Sequence, residues 1–200
     1  MVAIIDYGMG NVASVQKALN YLKVTSNITA DFSSIDKAKY IILPGVGSFM
    51  QGMKNLENNG LDTFLTEQVM FKKKKFLGIC LGMQLLADTG SEPCENSGLG
   101  WVKGSVKKIN NPGYRVPHMG WNNIDIKIDK YYKDLPDKNF YFIHSYHFIP
   151  QNPDIIAATV NYGMEIIASI QQENIFATQF HPEKSQLAGL SVLKNFLNNA

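Results

Sequence analysis

Lys75-Phe76-Leu77-Gly78-Ile79-Cys80-Leu81-Gly82-Met83-Gln84 is the stretch on which the reading of this chain turns. Phe76, Leu77 and Ile79 form a short apolar run suited to a buried strand, while Leu81, Met83, Leu85, Leu86 and Ala87 suit a helix that starts at once. Cys80 stands at the join. Gly78 and Gly82 flank it, each two residues away, giving Gly-x-Cys-x-Gly, the cysteine form of the nucleophile elbow. A sharp strand-to-helix turn needs residues without a Cβ at those places, and it pushes the sulfur out of the fold toward a substrate. The same turn sets Cys80 at a helix N-terminus, where free N–H groups and the helix dipole favour a thiolate. The N–H of Leu81 then points to where an oxyanion would form. A lone cysteine in a glycine-rich turn is more often structural, but the paired glycines and the strand-to-helix switch favour a nucleophile.

A thiol nucleophile needs a base, and the base needs a group to orient it. His181 and Glu183 lie two apart at the end of an apolar run, and in an extended segment such residues face the same way. A carboxylate there accepts the imidazole Nδ1–H, fixes the tautomer and leaves Nε2 for the thiol. Pro182 between them stiffens the extended geometry. His118 sits in a Met/Trp loop, and His144 and His147 flank Ser145-Tyr146 with no carboxylate beside them. No spacing of these histidines with cysteine or carboxylates matches a metal-ligand pattern, so neither a metal nor a cofactor is expected. The residues by themselves therefore point to a cysteine hydrolase or acyl-transfer enzyme with a Cys80-His181-Glu183 triad.

Composition narrows the setting. A chain of 200 residues, 45% apolar and 18% charged, fits one soluble domain spanning 1–200 with a full core. Cys80 and Cys94 are too few for a disulfide framework, no apolar run approaches the length of a membrane span, and Met1-Val-Ala-Ile-Ile-Asp6 reads as a strand, not a leader. These features predict a cytoplasmic protein without a membrane partner. A net charge of +2 is too small for a nucleic-acid binder, and Lys72 to Lys75 read as a solvated loop.

Along the chain, Val2 to Ile5, Val24 to Thr29 and Tyr40 to Leu43 read as strands, and Val12 to Leu22, Met50 to Glu57 and Leu61 to Phe71 as helices. The alternation predicts a mainly parallel sheet with helices on both faces. Asp6-Tyr7-Gly8-Met9-Gly10-Asn11 has two glycines and lacks the third of a dinucleotide fingerprint. Pro44-Gly45-Val46-Gly47-Ser48-Phe49 follows a strand at its C-terminal end, where an N–H of Val46 or Gly47 could complete an oxyanion hole with Leu81; a plain turn explains it equally well. Beyond Glu92 the pattern changes to strands, at Trp101 to Ile109, Asn122 to Ile128, Asn139 to His144, Ile155 to Val160 and Glu165 to Ile170. They predict an antiparallel extension of the sheet, interrupted by a loop over Arg115 to Asn122 whose Trp121 serves either as contact surface or as core. Ile175 to Phe180 is the last strand, and a helix capped by Ser185 closes the chain.

Gly78-Ile-Cys-Leu-Gly-Met-Gln84 with Gln179-Phe-His-Pro-Glu-Lys184 resembles the class I, triad-type glutamine amidotransferases. Ile5-Asp-Tyr-Gly-Met-Gly-Asn11, Leu43-Pro-Gly-Val-Gly-Ser48, Val116-Pro-His-Met-Gly-Trp-Asn122 and Phe142-Ile-His-Ser-Tyr146 resemble one branch of them, the glutaminase subunits of imidazole glycerol phosphate synthase. The resemblance implies a flavodoxin-like α/β fold with a mixed, mainly parallel sheet. It implies hydrolysis of L-glutamine through a glutamyl thioester on Cys80, with His181 moving the proton and Glu183 orienting it. Ammonia would pass to a barrel-type cyclase subunit in a heterodimer, which makes imidazole glycerol phosphate and aminoimidazole carboxamide ribotide in histidine biosynthesis. By motif position Gln84, Glu92, Ser145 and Tyr146 would hold the glutamine, Glu92 facing its α-ammonium. Val46, Gly47 and Leu81 would form the oxyanion hole, in one version after a peptide flip in Pro44 to Gly47. Asn11, Trp121 and Lys184 would lie at the interface where ammonia leaves. One departure is that Pro93-Cys94-Glu95-Asn96-Ser97 is less glycine-rich than the family pattern. Three rivals share the same residues: a glutaminase feeding a synthase that amidates a surface-polysaccharide sugar, a nucleotide-binding module built on Gly8 and Gly10, and a cysteine peptidase.

Overall fold

Alternate residues of the first strands part into two sets. Ile4, Ile42, Leu77 and Ile79 are buried in one apolar core, and Ala3, Ile5, Ile41, Leu43 and Phe76 in another, as the period of two along a strand requires when both faces are covered. The structure is a computed structural model that describes residues 1–198. Its first half runs β1 (Val2–Ile5), α1 (Val12–Tyr21), β2 (Ser26–Thr29), α2 (Phe32–Lys37), β3 (Tyr40–Gly45), α3 (Phe49–Asn58), α4 (Leu61–Thr66), β4 (Lys75–Cys80) and α5 (Leu81–Gln84). The second half runs β5 (Thr89–Gly90), β6 (Asn96–Ser97), β7 (Gly104–Lys108), β8 (His118–Ile126), β9 (Asn139–His144), β10 (Tyr146–Pro150), β11 (Ile156–Asn161), β12 (Glu165–Gln172), β13 (Ile175–Thr178) and α6 (Gln186–Asn198).

Nine strands form the main sheet in the order β2-β1-β3-β4-β13-β12-β11-β8-β9. From β2 to β13 every pairing is parallel, and from β13 onward every pairing is antiparallel. α1 and α6 cover the face that holds Ile4 and Leu77, while α3 and α4 cover the other. Because β3, β4 and β13 are parallel neighbours, their carboxyl ends open on one edge, the usual place for a site in an open α/β sheet. Among the described residues no helix is long and apolar enough to cross a membrane.

Several sequence expectations are corrected. The helix after Cys80 lasts one turn, Leu81–Gln84, because the carbonyls of Leu85, Leu86 and Ala87 accept from the N–H groups of Leu99, Val102 and Gly100 instead of continuing the helix. That same capture keeps Trp101 and Val102 out of a strand, so β7 starts only at Gly104. Nor does β7 extend the main sheet: with β10, β5 and β6 it forms a second, four-stranded sheet. The segment from His118 to Asn122, expected in a loop, is the first half of β8, paired with β9 from His118↔His144 to Asn123↔Asn139. The short helix α2, capped by the Asp31 carboxylate on Ser34 N–H at 2.8 Å, replaces an expected polar connection; its single buried residue, Ile35, left no periodic signal.

Candidate active site

Cys80 closes β4 with φ 56° and ψ −107°, a backbone conformation that costs an L-residue energy and persists only when its surroundings impose it. The two glycines impose it by close approach. A Cβ on Gly82 would lie 1.9 Å from the Leu43 carbonyl oxygen, and one on Gly78 would lie 2.7 Å from that of Gly82. The elbow is thus pressed against β3 on one side and folded on itself on the other. Leu81 is the first residue of α5, so its N–H has no acceptor within the helix.

The imidazole comes from the neighbouring strand. His181 follows β13, and its Nδ1 donates to Glu183 Oε1 at 2.8 Å, both side chains being almost wholly buried. The expected extended arrangement is not what joins them. The chain leaves His181 into a 3-10 turn, Pro182–Lys184, and the Ser185 hydroxyl donates to the His181 carbonyl at 2.6 Å while accepting the Tyr141 N–H at 3.0 Å. Ser185 therefore locks this turn to β9 and makes no side-chain bond to the start of α6. His181 Nε2 is buried without a partner of hydrogen-bonding geometry. Burial opposes charging this ring, but the nearby Cys80 sulfur and then Glu183 outweigh it and raise its pKa to about 10.

Around Cys80 the backbone and two amides complete the site. Gln179 Nε2 lies 3.6 Å from Cys80 Sγ, and the Ile143 carbonyl lies 3.9 Å from it. Gln84 Nε2 gives one hydrogen to the Gln179 Oε1 and the other to the Tyr146 carbonyl, each at 2.9 Å, so Gln84 can meet a ligand only through Oε1. Gln179 carried no assigned role in the sequence reading. Its signal in the sequence is its place two residues before His181, directly after β13.

A cleft of about 420 Å³ gathers Cys80, Leu81, Gln84, Glu92, Ser145, Tyr146, Val46, Gly47 and Lys184. All the residues expected to hold glutamine, and all three expected oxyanion residues, line it. Gly47 has φ 106°, and a Cβ there would come 2.6 Å from Met9 Cε, so the loop before α1 backs this wall. Glu92 Oε2 accepts the Phe49 N–H at 3.2 Å at the start of α3; burial raises the pKa of its carboxyl, and that hydrogen bond partly offsets the rise. Trp121 is 46% exposed and packs edge-on against Tyr141, over whose ring Lys184 Nζ lies at 5.7 Å. Asn11 does not line the cleft, and its side chain caps α1 by accepting the Ser14 N–H at 3.3 Å. Among the described residues no three His, Cys, Asp or Glu side chains are grouped to hold a metal ion.

A strand-to-helix elbow bearing a cysteine at the carboxyl edge of a mixed α/β sheet, with an imidazole and a buried carboxylate just past the end of the next strand, defines a class of protein, and residues 3–200 match the family model of class-I glutamine amidotransferases. The chain belongs to that family and is an enzyme. It is 43% identical over 205 residues to the imidazole glycerol phosphate synthase subunit HisH of Pelagibacter ubique, covering 98% of this chain and 99% of that one. It is 45% identical over 197 residues to the same subunit of Moorella thermoacetica, covering 98% and 93%. A crystal structure of a glutamine amidotransferase superposes with a TM-score of 0.78 at 20% identity, covering 99% of this chain and 98% of that one, which establishes the shared fold.

Proposed function

We propose that this chain is the glutaminase subunit of an imidazole glycerol phosphate synthase, hydrolysing L-glutamine to glutamate and ammonia for histidine biosynthesis. The observation that supports the chemistry is Cys80 in the wall of one cleft, with a buried His181 imidazole that is bonded to Glu183 and near enough to feel the Cys80 sulfur. The likeness to HisH subunits over nearly the whole chain supports the choice of synthase.

In this reading the Cys80 thiolate attacks the side-chain amide carbon, and the oxyanion is met by the N–H of Leu81 together with that of Val46 or Gly47. His181 Nε2, protonated at neutral pH, gives its proton to the departing nitrogen as the C–N bond breaks, which leaves a glutamyl thioester and ammonia. Water then adds to the thioester with His181 as base, and glutamate leaves as the sulfur is freed. Glu183 keeps Nδ1–H bound throughout, so the ring presents the same nitrogen in both halves. Glu92 faces the α-ammonium, and Gln84 Oε1, Ser145 and Tyr146 hold the rest of the amino acid. Ammonia is mostly protonated in neutral water and lost as a nucleophile, so the product is passed to a docked barrel-type cyclase near Trp121 and Lys184. A cytoplasmic location accords with two free thiols, Cys80 and Cys94.

Glutamate release by the purified chain, alone and with the barrel synthase and its nucleotide substrate, tests the proposal. Strong stimulation by both is expected; background release under every condition would remove the glutaminase reading. Cys80→Ala is expected to abolish release, by a factor on the order of 10⁴ or more, with an unchanged circular dichroism spectrum.

A further inference from the structure

Beside the cleft lies a pair of histidines that takes no part in this chemistry. His118 and His144 face each other across β8 and β9, and His118 Nδ1 lies 3.0 Å from His144 Nε2. His144 lines the cleft, next to Ser145 and Tyr146. The direction of each hydrogen bond follows from its neighbours. The Tyr146 carbonyl can only accept, so His144 Nδ1, 2.8 Å away, carries a hydrogen. The neutral ring then has a bare Nε2, and His118 Nδ1 must donate to it. His118 Nε2 is left as acceptor for the Asn122 side-chain amide at 3.4 Å. His118 is also clamped between rings, stacked on Phe142 at 4.7 Å and on Tyr162 at 4.1 Å.

The Tyr146 carbonyl is where this line meets the one that reaches the sulfur. It accepts from His144 and from Gln84, and Gln84 continues through Gln179 to Cys80 Sγ. We propose that His118 is a positioning residue for the glutamine cleft: its Nδ1–H, received by His144 Nε2, reinforces the His144 tautomer that holds the Tyr146 carbonyl, and with it Gln84, in place. The role assigned to the cleft is that of the glutaminase reading above, on which this inference rests. Both rings are neutral at working pH, because burial lowers His118 to about 4 and His144 to about 3. For His144 the bond to Tyr146 opposes that shift, while His118, His147 and His181 add to it.

The test uses the full-length chain and two variants. Nitrogen NMR of labelled histidine rings is expected to report His144 as the Nδ1–H tautomer, the less common form of a free imidazole. His118→Phe keeps a flat ring between Phe142 and Tyr162 but cannot donate; in it the Nδ1–H tautomer of His144 loses population to the Nε2–H form, and the KM for glutamine rises roughly three- to tenfold with kcat within about twofold. His118→Asn loses the stacking ring but returns an N–H at the Nδ1 position, and it recovers the tautomer and most of the KM. An Nε2–H tautomer in the wild type, an unchanged KM in His118→Phe, or equal losses in both variants that follow their melting temperatures would each overturn the proposal. If His118→Phe fails to fold, His118→Leu takes its place as the variant that cannot donate: a shifted tautomer and raised KM in it with recovery in His118→Asn support the role, and equal values in the two remove it. Should wild type release no glutamate with any synthase, the glutaminase reading fails, while the ring spectra still decide whether His118 reinforces the His144 tautomer.

Discussion

At the scale of single residues, His181 is the group whose protonation the fold changes most usefully. Its pKa in the folded state is about 10, against an ordinary value of 6.5. Between those values the folded chain binds a proton that the unfolded chain has released, so the contribution to stability is complete below about pH 6.5 and is lost as pH rises through about 10. The expected outcome is a melting temperature that declines across that window in wild type. Glu183→Gln removes one of the charges that hold the proton, and its decline should be shallower. Thermal unfolding followed at half-unit pH steps checks both, and parallel profiles for the two proteins would rule out this origin.

At the scale of elements, the elbow and β8 decide the site's geometry. Gly82 is required by approach, not by backbone angle, since the Leu43 carbonyl occupies the place of its side chain. Gly82→Ala should therefore separate β3 from α5, at a cost on the order of 3–5 kcal/mol or outright failure to fold, as measured by denaturant unfolding. Gly120→Ala serves as a partial control for a lost glycine, since nothing lies within 4 Å of its added Cβ, although its φ of 123° still strains the substitution. Along β8 the alternation puts His118 inside and Met119 and Trp121 outside, which sets a buried polar line and an exposed apolar stripe back to back on one strand. Arg115 to Asn122 was unreadable as a strand because Pro117 and Gly120 break it up and because its inward positions carry His and Asn in place of aliphatic residues. Only the neighbouring strands give those polar groups their partners, His144 of β9 for His118 and the Asn161 carbonyl of β11 for Asn122.

At the scale of the whole molecule, exposed Val116, Met119 and Trp121 are near in sequence to Pro117, which lines the cleft, and Val46, which lines it too, is also exposed. Apolar groups grouped beside a cleft suit a docked partner, and a large aromatic there is the kind of side chain that dominates binding. Trp121→Ala should weaken association with the barrel synthase roughly tenfold or more while moving the melting temperature by no more than one or two degrees. Titration of the synthase against glutamate release, with calorimetry on the free chain, measures the two effects separately.

Much of the site is local in the chain, and local features are what a sequence by itself determines. Gly78, Cys80 and Gly82 between an apolar run and a helix specify the elbow, and His181-Pro182-Glu183 specify an imidazole bonded to a carboxylate, because each depends on residues within one turn of one another. The parallel half of the sheet was legible for a similar reason, strand and helix alternating with their own periods. Tertiary structure alone decided that α5 would stop after one turn, since the carbonyls of Leu85 to Ala87 are claimed by Leu99 to Val102. It alone sent β7 and β10 into a second sheet and brought Gln84, Gln179, His118 and His144 to the Tyr146 carbonyl and the sulfur. Apart from His144 and Tyr146, those groups are far apart in sequence, and a buried hydrogen bond is satisfied by whichever partner the packing supplies, not by any spacing along the chain.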